Sequence, residues 1–375
     1  MRFAVTKCWH LRWRNNTGSS LPPLVRPFRI AKQPIISWEK ELMIQLTKNP
    51  DAFCDKLPVF ASEGFLKSKS KEYGWLCDDS FVTPFIIDKR GGFRRLVVMN
   101  EPIAFREASL DEEKEHLDEV CRFARTELKA DFLSGHGNSI FRVVPDSSVS
   151  IDWGSYIVPL DGDEQNLLKN MQARMRTKVR NAVRAGVEVS STDEIGEIYE
   201  VLKATMIRQK ELYYPSMDYL SRLKENLGEN AVYFVCRHEG RVQGGVVMLY
   251  NDLKGYYYYG GSIERPLDGS IALMHLEVMK YLKDKSVPYY DLMGARLQLE
   301  PGSKFIGIQE FKNRLGGKLY VGKTFKVVLR PLRYAVYLFM VNGYFLMKGG
   351  RYKGDAIDQV GKVAAMPNVV SAPGS

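Results

Sequence analysis

The residues best placed to do chemistry lie in the stretch SVPYYDLMGARLQLEPGSKFIGIQEFKNRLGG, residues 286–317. Val287 to Leu292 is a short run of β-branched, aromatic and aliphatic residues that carries an acid, Asp291, near its end; this is the make-up of a buried strand. A loop rich in Gly and Pro follows, then a helix expected from about Ser303 to Leu315 and stopped by Gly316-Gly317. At about 100° per residue, Phe305, Ile308, Phe311 and Leu315 fall on one arc, the face such a helix buries, and Lys312 falls inside that arc. Lysine is almost never fully buried without a partner, because desolvating an ammonium is costly. Either its stem is buried while its head reaches solvent or pairs with Asp291 or Glu310, or it is a cation held in a pocket, facing the charge that develops during acyl transfer.

A second group of cations sits on a helix expected over Glu164–Ala185, buried through Leu168, Met171, Met175, Val179, Ala182 and Val183 and ended by Gly186. Lys169, Arg176, Arg180 and Arg184 line one flank without an intervening acid. Such a flank is an ordinary solvated helix surface, or it suits a diphosphate. Further on, AVYFVCRHEGRVQGGVVMLYN predicts a hairpin turning at HEG, with a third strand in GYYYYGG. Alternation along that third strand puts Tyr257 and Tyr259 on one face, Tyr256 and Tyr258 on the other; one pair should line a groove and the other pack in the core.

The order YYDLMG, P-G-S, GIQEFKNRLGG, together with NMQARMRTKVRNAVRAGVEV at 170–189 and VQGGVVMLYNDLKGYYYYGGS at 242–262, resembles the FemABX family. These are non-ribosomal peptidyl transferases built from GNAT-like acyltransferase domains, with FemAB-like (BioF2-like) acetyltransferases as relatives. The resemblance covers about 160–330 well and about 50–160 faintly. It implies an α/β fold of two tandem GNAT-like units, mixed sheets flanked by helices, the first unit degenerate. It also implies roles: Phe311-Lys312 matches the family's FK pair, whose lysine stabilises the transferring acyl group. Arg208, Tyr213 and Tyr214 lie where relatives hold the acceptor's phosphates and sugar, although Arg208 is followed by Gln209 where the family has an acid. Gln243-Gly244-Gly245 resembles the strand whose backbone runs along the acyl donor; in physical terms those glycines permit close ligand approach or form a β-bulge. In the GSIERPLDGS loop, Arg265, Gly269 and Ser270 are kept from the pyrophosphate-binding pattern of coenzyme A enzymes, but the full pattern is not.

These elements stand in a chain of 375 residues, long enough for two domains. Five scattered cysteines without metal spacing fit a reducing cytoplasm, and the dispersed histidines assemble no zinc site. Nothing local points to a Ser/His/Asp or Cys/His nucleophile. No apolar run reaches the roughly 18 residues of a spanning helix. Residues 1–42 carry 8 Lys/Arg against 2 acids, so +6 of the formal +10 belongs to them. This leader lacks a signal peptide's apolar core and is interrupted by prolines. It is expected to be translated upstream sequence with Met43 as the true start, the alternative being a basic arm for anionic lipid or nucleic acid. The division expected is 1–42 leader, 43–160 degenerate GNAT-like domain, 161–330 catalytic GNAT-like domain, 331–350 aromatic helix and 351–375 disordered tail. Within the first domain, helices are expected at Ser62–Tyr73 and over the stretch 107–128, and strands at Phe81–Ile87, Phe93–Met99, Asp131–Leu133, Ile140–Val144 and Ser155–Val158. The segment RPLRYAVYLFMVNGYFLMKGGRYK, with basic ends, either lies in a membrane interface or packs on its own domain.

The function expected from the resemblance is transfer of an aminoacyl or acyl group to an amine of a nucleotide- or lipid-linked cell-envelope precursor, with no tightly bound cofactor or metal. The donor is aminoacyl-tRNA, or acyl-CoA in the alternative of an amino-sugar N-acyltransferase. In both, the amine attacks the acyl carbonyl directly; Lys312 stabilises the oxyanion and Asp291 orients or deprotonates the amine, unless Asp291 is only a buried acceptor. A third reading is a binding scaffold that kept the fold and lost the chemistry. The expected location is the cytoplasm, with peripheral contact at the inner face of the membrane.

Overall fold

A three-strand antiparallel meander, a crossover helix and a fourth strand parallel to the third occur twice along the chain. In this computed structural model, residues 44–49, 56–209, 214–300, 302–347, 349–352 and 354–359 are described. The leader, Met43, Tyr213 and the end of the tail lie outside the described residues. The first copy opens with β1 (Gln45–Thr47) and α1 (Glu63–Lys69), then runs β2 (Tyr73–Cys77), β3 (Phe81–Arg90), β4 (Phe93–Val98), the short β5 (Ile103–Ala104), α2 (Leu110–Thr126) and β6 (Phe132–Gly135). It closes with β7 (Val149–Pro159). The second copy begins with α3 (Glu164–Asn170), α4 (Ala173–Arg184), β8 (Glu188–Ser191), α5 (Ile195–Arg208) and α6 (Met217–Leu227). It continues through β9 (Ala231–His238), β10 (Arg241–Tyr250), β11 (Gly255–Ser262), α7 (Ser270–Asp284), β12 (Tyr289–Arg296), α8 (Lys304–Arg314) and β13 (Lys318–Val328), followed by α9 (Pro331–Met347).

The two copies share one sheet, ordered β1-β2-β3-β4-β6-β13-β7-β12-β11-β10-β9-β8, with β5 beside β3. Among the described residues only β4–β6 and β11–β12 pair in parallel. The last strand of each copy is exchanged: β7 pairs with β12, and β13 pairs with β6 and along the length of β7. The halves are therefore bound by main-chain ladders as well as by packing. On one face Phe60, Trp75, Ile198, Tyr233, Tyr256 and Tyr258 form a core drawn from both copies. On the other, α3, α4 and α7 cover the second copy and α2 covers the first.

Local chemistry explains most element ends. Ser109 and Glu112 form a reciprocal capping box at the start of α2, satisfying two orphan N–H groups. The stretch expected as one helix over 164–185 is two. Met171 is buried and extended, and Gln172 N–H donates 3.0 Å to the Arg314 carbonyl, so the chain leaves helical geometry to meet the end of α8. Leu167 is buried there rather than Leu168, and Val183 is exposed. The strand expected at Ile140–Val144 is a single bridge, Phe141 to Lys323. The tail from Gly354 is held as far as Gln359. Lys326 pairs with Asp355 at 2.6 Å and Asp358 at 2.8 Å, Arg296 donates to Gln359 Oε1 at 2.7 Å, and Ile357 is buried beside Trp153.

Candidate active site

The sheet opens at its centre. β11 and β12 pair only at Gly255–Tyr290 and Tyr256–Asp291, and β12 loses register with β7 between Asp291 and Gly294. At this break Met293 has a φ of 65°, a left-handed conformation unusual for a non-glycine residue. The strain has a visible counterweight in Asp291. Its Oδ1 accepts the Met293 N–H at 2.8 Å and the Ser155 hydroxyl, and its Oδ2 faces Lys254 Nζ at 3.3 Å. Burial by itself lowers the Lys254 pKa, but Tyr256, Asp291 and Glu101 hold it above the ordinary lysine value. Burial raises the Glu101 pKa in turn.

Turning the chain at Met293 aims two carbonyls at α8. Lys312 Nζ donates to Met293 O at 2.8 Å and to Gly294 O at 2.9 Å. Lys312 is 7% exposed and is the one buried residue of α8. The expected face is realised in part: Leu315 is fully buried, Phe305 and Phe311 are half-buried and Ile308 is exposed, while Lys312, inside the same arc, goes in. The reason is that α8 rests on a gap in the sheet rather than on a closed core, and the two carbonyls aimed there attract an ammonium more than a methyl group. Burial lowers the Lys312 pKa to about 8, with the Asp291 charge opposing. Lys312 makes no ion pair with Asp291 or Glu310 among the described residues; Glu310 pairs with Arg314. An ammonium has three N–H groups, and the two carbonyls use two. Behind it, His275 stands against Tyr257 and Phe311, its Nδ1 3.1 Å from the Tyr290 hydroxyl and its Nε2 without a partner among the described residues. Burial and then Lys312 push its pKa down to about 3, so it is neutral.

Beside this gap runs a cleft of about 620 Å³ lined by Lys69, Lys71, Asp88, Arg95, Met99 and His136. Gly137 joins the two: it lines the cleft, its carbonyl accepts the Trp153 indole N–H at 2.8 Å, and a Cβ on Gly294 would stand 3.2 Å from it. Lys69 lies 4.7 Å from the Tyr219 ring centre and 5.2 Å from that of Tyr258; burial brings its pKa to about 8, against the pull of Asp88. Burial, then Lys69 and Arg95, depress the His136 pKa to about 3, and its Nδ1 has no partner among the described residues. None of Lys69, Arg95 and His136 was expected from sequence. They come from three separate segments, and only the fold brings them together.

The remaining sequence candidates disperse around this centre. Arg208 donates to the Ser262 carbonyl at 3.2 Å from both Nη atoms, at the open end of β11, and Tyr214 is exposed beside Tyr199. Arg176 Nη1 is turned onto the carbonyls of Lys169 at 3.2 Å and Met171 at 2.6 Å, closing the end of α3, while Arg180 is solvent-exposed. Tyr257 and Tyr259 do not share a face. The β10–β11 ladder shifts register at Val247/Met248, so Tyr257 packs on His275 under α7, while Tyr259 joins Tyr219 and Tyr258 on the opposite side. Gln243 is buried, its Oε1 accepting the Leu267 N–H at 3.0 Å, and so fixes the loop before α7. A Cβ on Gly244 would meet Ile271 of α7 at 2.4 Å. Gly269 caps α7 with a φ of 90°, and a Cβ there would stand 2.1 Å from the Lys178 carbonyl of α4. Arg265 is exposed in the same loop. Among the described residues no cluster of three His, Cys, Asp or Glu could hold a metal.

Residues 169–313, which contain both the opened strands and Lys312, match the model of an acetyltransferase (GNAT) domain. This part of the chain is a GNAT acyltransferase domain. The fold is like that of FemX, whose crystal structure superposes with a TM-score of 0.59 at 16% identity, covering 74% of this chain and 94% of that one. Weaker likenesses include a tandem GNAT protein from the clavulanic acid biosynthesis pathway (TM-score 0.46, 11% identity, 71% and 86% covered). Another is the C-terminal domain of a putative lysylphosphatidylglycerol synthetase from Agrobacterium fabrum (0.46, 13%, 68% and 85%). No curated protein sequence matches. In the strand order of this chain itself, the pattern that holds the opened strand pair occurs twice within one mixed sheet.

Proposed function

We propose that this acyltransferase moves an aminoacyl or acyl group onto an amine of a phosphate-bearing cell-envelope precursor. The observation that carries the reading is Lys312: a buried ammonium, pinned by two carbonyls at the opened strand pair and keeping one N–H for a third acceptor. An acyl carbonyl in the gap would present its oxygen to that N–H. The acceptor amine attacks the carbonyl carbon, the carbonyl electron pair moves to oxygen, and Lys312 stabilises that oxyanion. Collapse of the intermediate breaks the bond to the donor's leaving oxygen or sulfur, which takes up a proton as the amine loses one. Asp291 holds Met293 in the conformation that aims the carbonyls; with three donors already on its carboxylate, it is a positioning residue in this reading, not the base. The basic cleft of Lys69, Lys71 and Arg95 suits the phosphates of a nucleotide- or lipid-linked acceptor, and Arg208 extends the polar rim along β11. Phe311, Tyr257 and Tyr259 are then packing around the site, and Arg176 is a helix-end contact.

We take aminoacyl-tRNA as the donor. Gly269 and the Lys178 carbonyl pack α4 against the start of α7, where a coenzyme A enzyme needs free backbone N–H groups for a pyrophosphate. Acyl-CoA is the second reading, favoured by the match to an acetyltransferase domain, and would use Gln243, Gly244, Arg265 and Gly269. Either donor places the reaction in the cytoplasm. The test is to supply charged tRNA or acetyl-CoA in turn with a nucleotide-linked muropeptide or a nucleotide amino sugar, and to read acylated product by mass spectrometry. Product with acetyl-CoA and none with charged tRNA reverses the donor assignment; no product with any pair rejects the reading.

A further inference from the structure

Helix α9 carries an apolar stripe that no described residue covers. One side of α9 is seated: Tyr334 and Tyr337 pack on Phe132 at 5.1 Å, Tyr337 reaches Phe93 at 5.4 Å, and Phe345 is buried against Tyr352. Arg333 ties its start to the buried Asp131 at 2.6 Å. The other side presents Leu332, Val336, Phe339, Met340, Gly343 and Met347, at the helical spacing of a single face. Leu332, Phe339 and Met347 are 85%, 80% and 82% exposed. Isolated apolar residues on a surface need no explanation, but a continuous stripe of this length marks an interaction face.

The charge pattern says what covers it. Between residues 330 and 353 there are five cations (Arg330, Arg333, Lys348, Arg351 and Lys353) and no acid, and none of the five lies between 334 and 347; Arg330 and Arg333 share the single carboxylate of Asp131, so the first end of the helix keeps a net positive charge. Two copies of the chain meeting through this stripe, parallel or antiparallel, would set basic ends against basic ends. A surface with anionic headgroups and an apolar interior complements both parts at once. The helix has 17 residues, and no helix among the described residues is long and apolar enough to cross a membrane. At about 1.5 Å per residue it is shorter than a bilayer core. We propose that α9 lies in the surface of an anionic bilayer, its stripe among the acyl chains and its basic ends at lipid phosphates. This inference stands apart from the transfer reaction and uses none of its residues.

The experiment is co-sedimentation of the full chain with phosphatidylcholine vesicles, with and without phosphatidylglycerol. Binding should require phosphatidylglycerol and weaken as salt is added. The double variant Phe339→Ser/Met340→Ser alters exposed side chains only, so it should melt like the parent while losing roughly tenfold or more of its vesicle binding. Undiminished binding by the well-folded double variant overturns the proposal, and equal binding to pure phosphatidylcholine overturns its anionic part. Ultracentrifugation without lipid supplies a further check: a dimer that the double variant converts to monomer overturns it in favour of a second copy.

Discussion

Replacing Lys312 by Met separates catalysis from folding at this site. The fall of its pKa from 10.5 to about 8 corresponds to about 3 kcal/mol of penalty on the buried charge, which the variant relieves. Against this, the carbonyls of Met293 and Gly294 lose charge-assisted hydrogen bonds at 2.8 and 2.9 Å, each worth about 1.5–3 kcal/mol. The two effects largely offset, and methionine keeps much of the buried stem, so the melting temperature should move little. Transfer should fall by about 10²–10³, the loss of one oxyanion-stabilising group, with the acceptor's KM nearly unchanged. The pH behaviour has a definite sign. A cation whose folded pKa is lowered carries its full penalty below about 8, and that penalty is relieved as pH rises from there towards the unfolded value of 10.5. Lys312 therefore makes the parent gain stability over that window, and the Met variant lacks the gain. Activity runs the other way, since the oxyanion needs the ammonium: transfer should decline as pH rises through about 8. Lys312→Arg should lose that decline, because guanidinium stays charged, while recovering only part of the rate. Single-turnover transfer beside thermal melts across pH measures both. Near-normal transfer by a well-folded Lys312→Met protein would refute the assignment, as would a large loss of stability with activity per folded molecule intact.

Asp291→Asn leaves Lys254 buried without its carboxylate and weakens the hold on Met293. It should cost about 3–5 kcal/mol in chemical denaturation, and a change below about 1 kcal/mol would mean that the strained turn does not depend on it. Lys69→Met should raise the KM for a phosphate-bearing acceptor roughly tenfold with kcat held, the loss of one charge-assisted contact; an unchanged KM would remove the cleft from the acceptor path. Gly269→Ala forces a side chain into a φ of 90° and against the Lys178 carbonyl. It should lower the melting temperature by several degrees, equivalent to roughly 1–3 kcal/mol, and an unaltered melt would show that α4 does not bear on the start of α7.

Features that repeat at short range could be read from the sequence. The β9–β10 hairpin follows from two apolar runs about the HEG turn, and α2 from a serine-started acidic turn with Leu117 and Val120 in register. The ordered series of short motifs was enough to indicate the GNAT acyltransferase domain, and Lys312 announced itself as a cation on an arc reserved for apolar residues. What the tertiary structure decided depends on partners far away in the chain. Periodicity placed Ile308 and Leu315 alike on the buried arc of α8 because it assumes a continuous core; Leu315 is buried, but the opened strands supply carbonyls beside it, and Lys312 is buried while Ile308 is not. Alternation paired Tyr257 with Tyr259 because it assumes an unbroken ladder, and one bulge at Val247/Met248 sends them apart. One helix became α3 and α4 because the carbonyl of Arg314, more than a hundred residues on, takes the N–H at Gln172. The exchange of β7 and β13 and the meeting of Lys69, Arg95 and His136 leave no local trace. A sequence window records the period of a segment, whereas strand order and the convergence of polar side chains from distant segments are set by which distant surfaces bury one another.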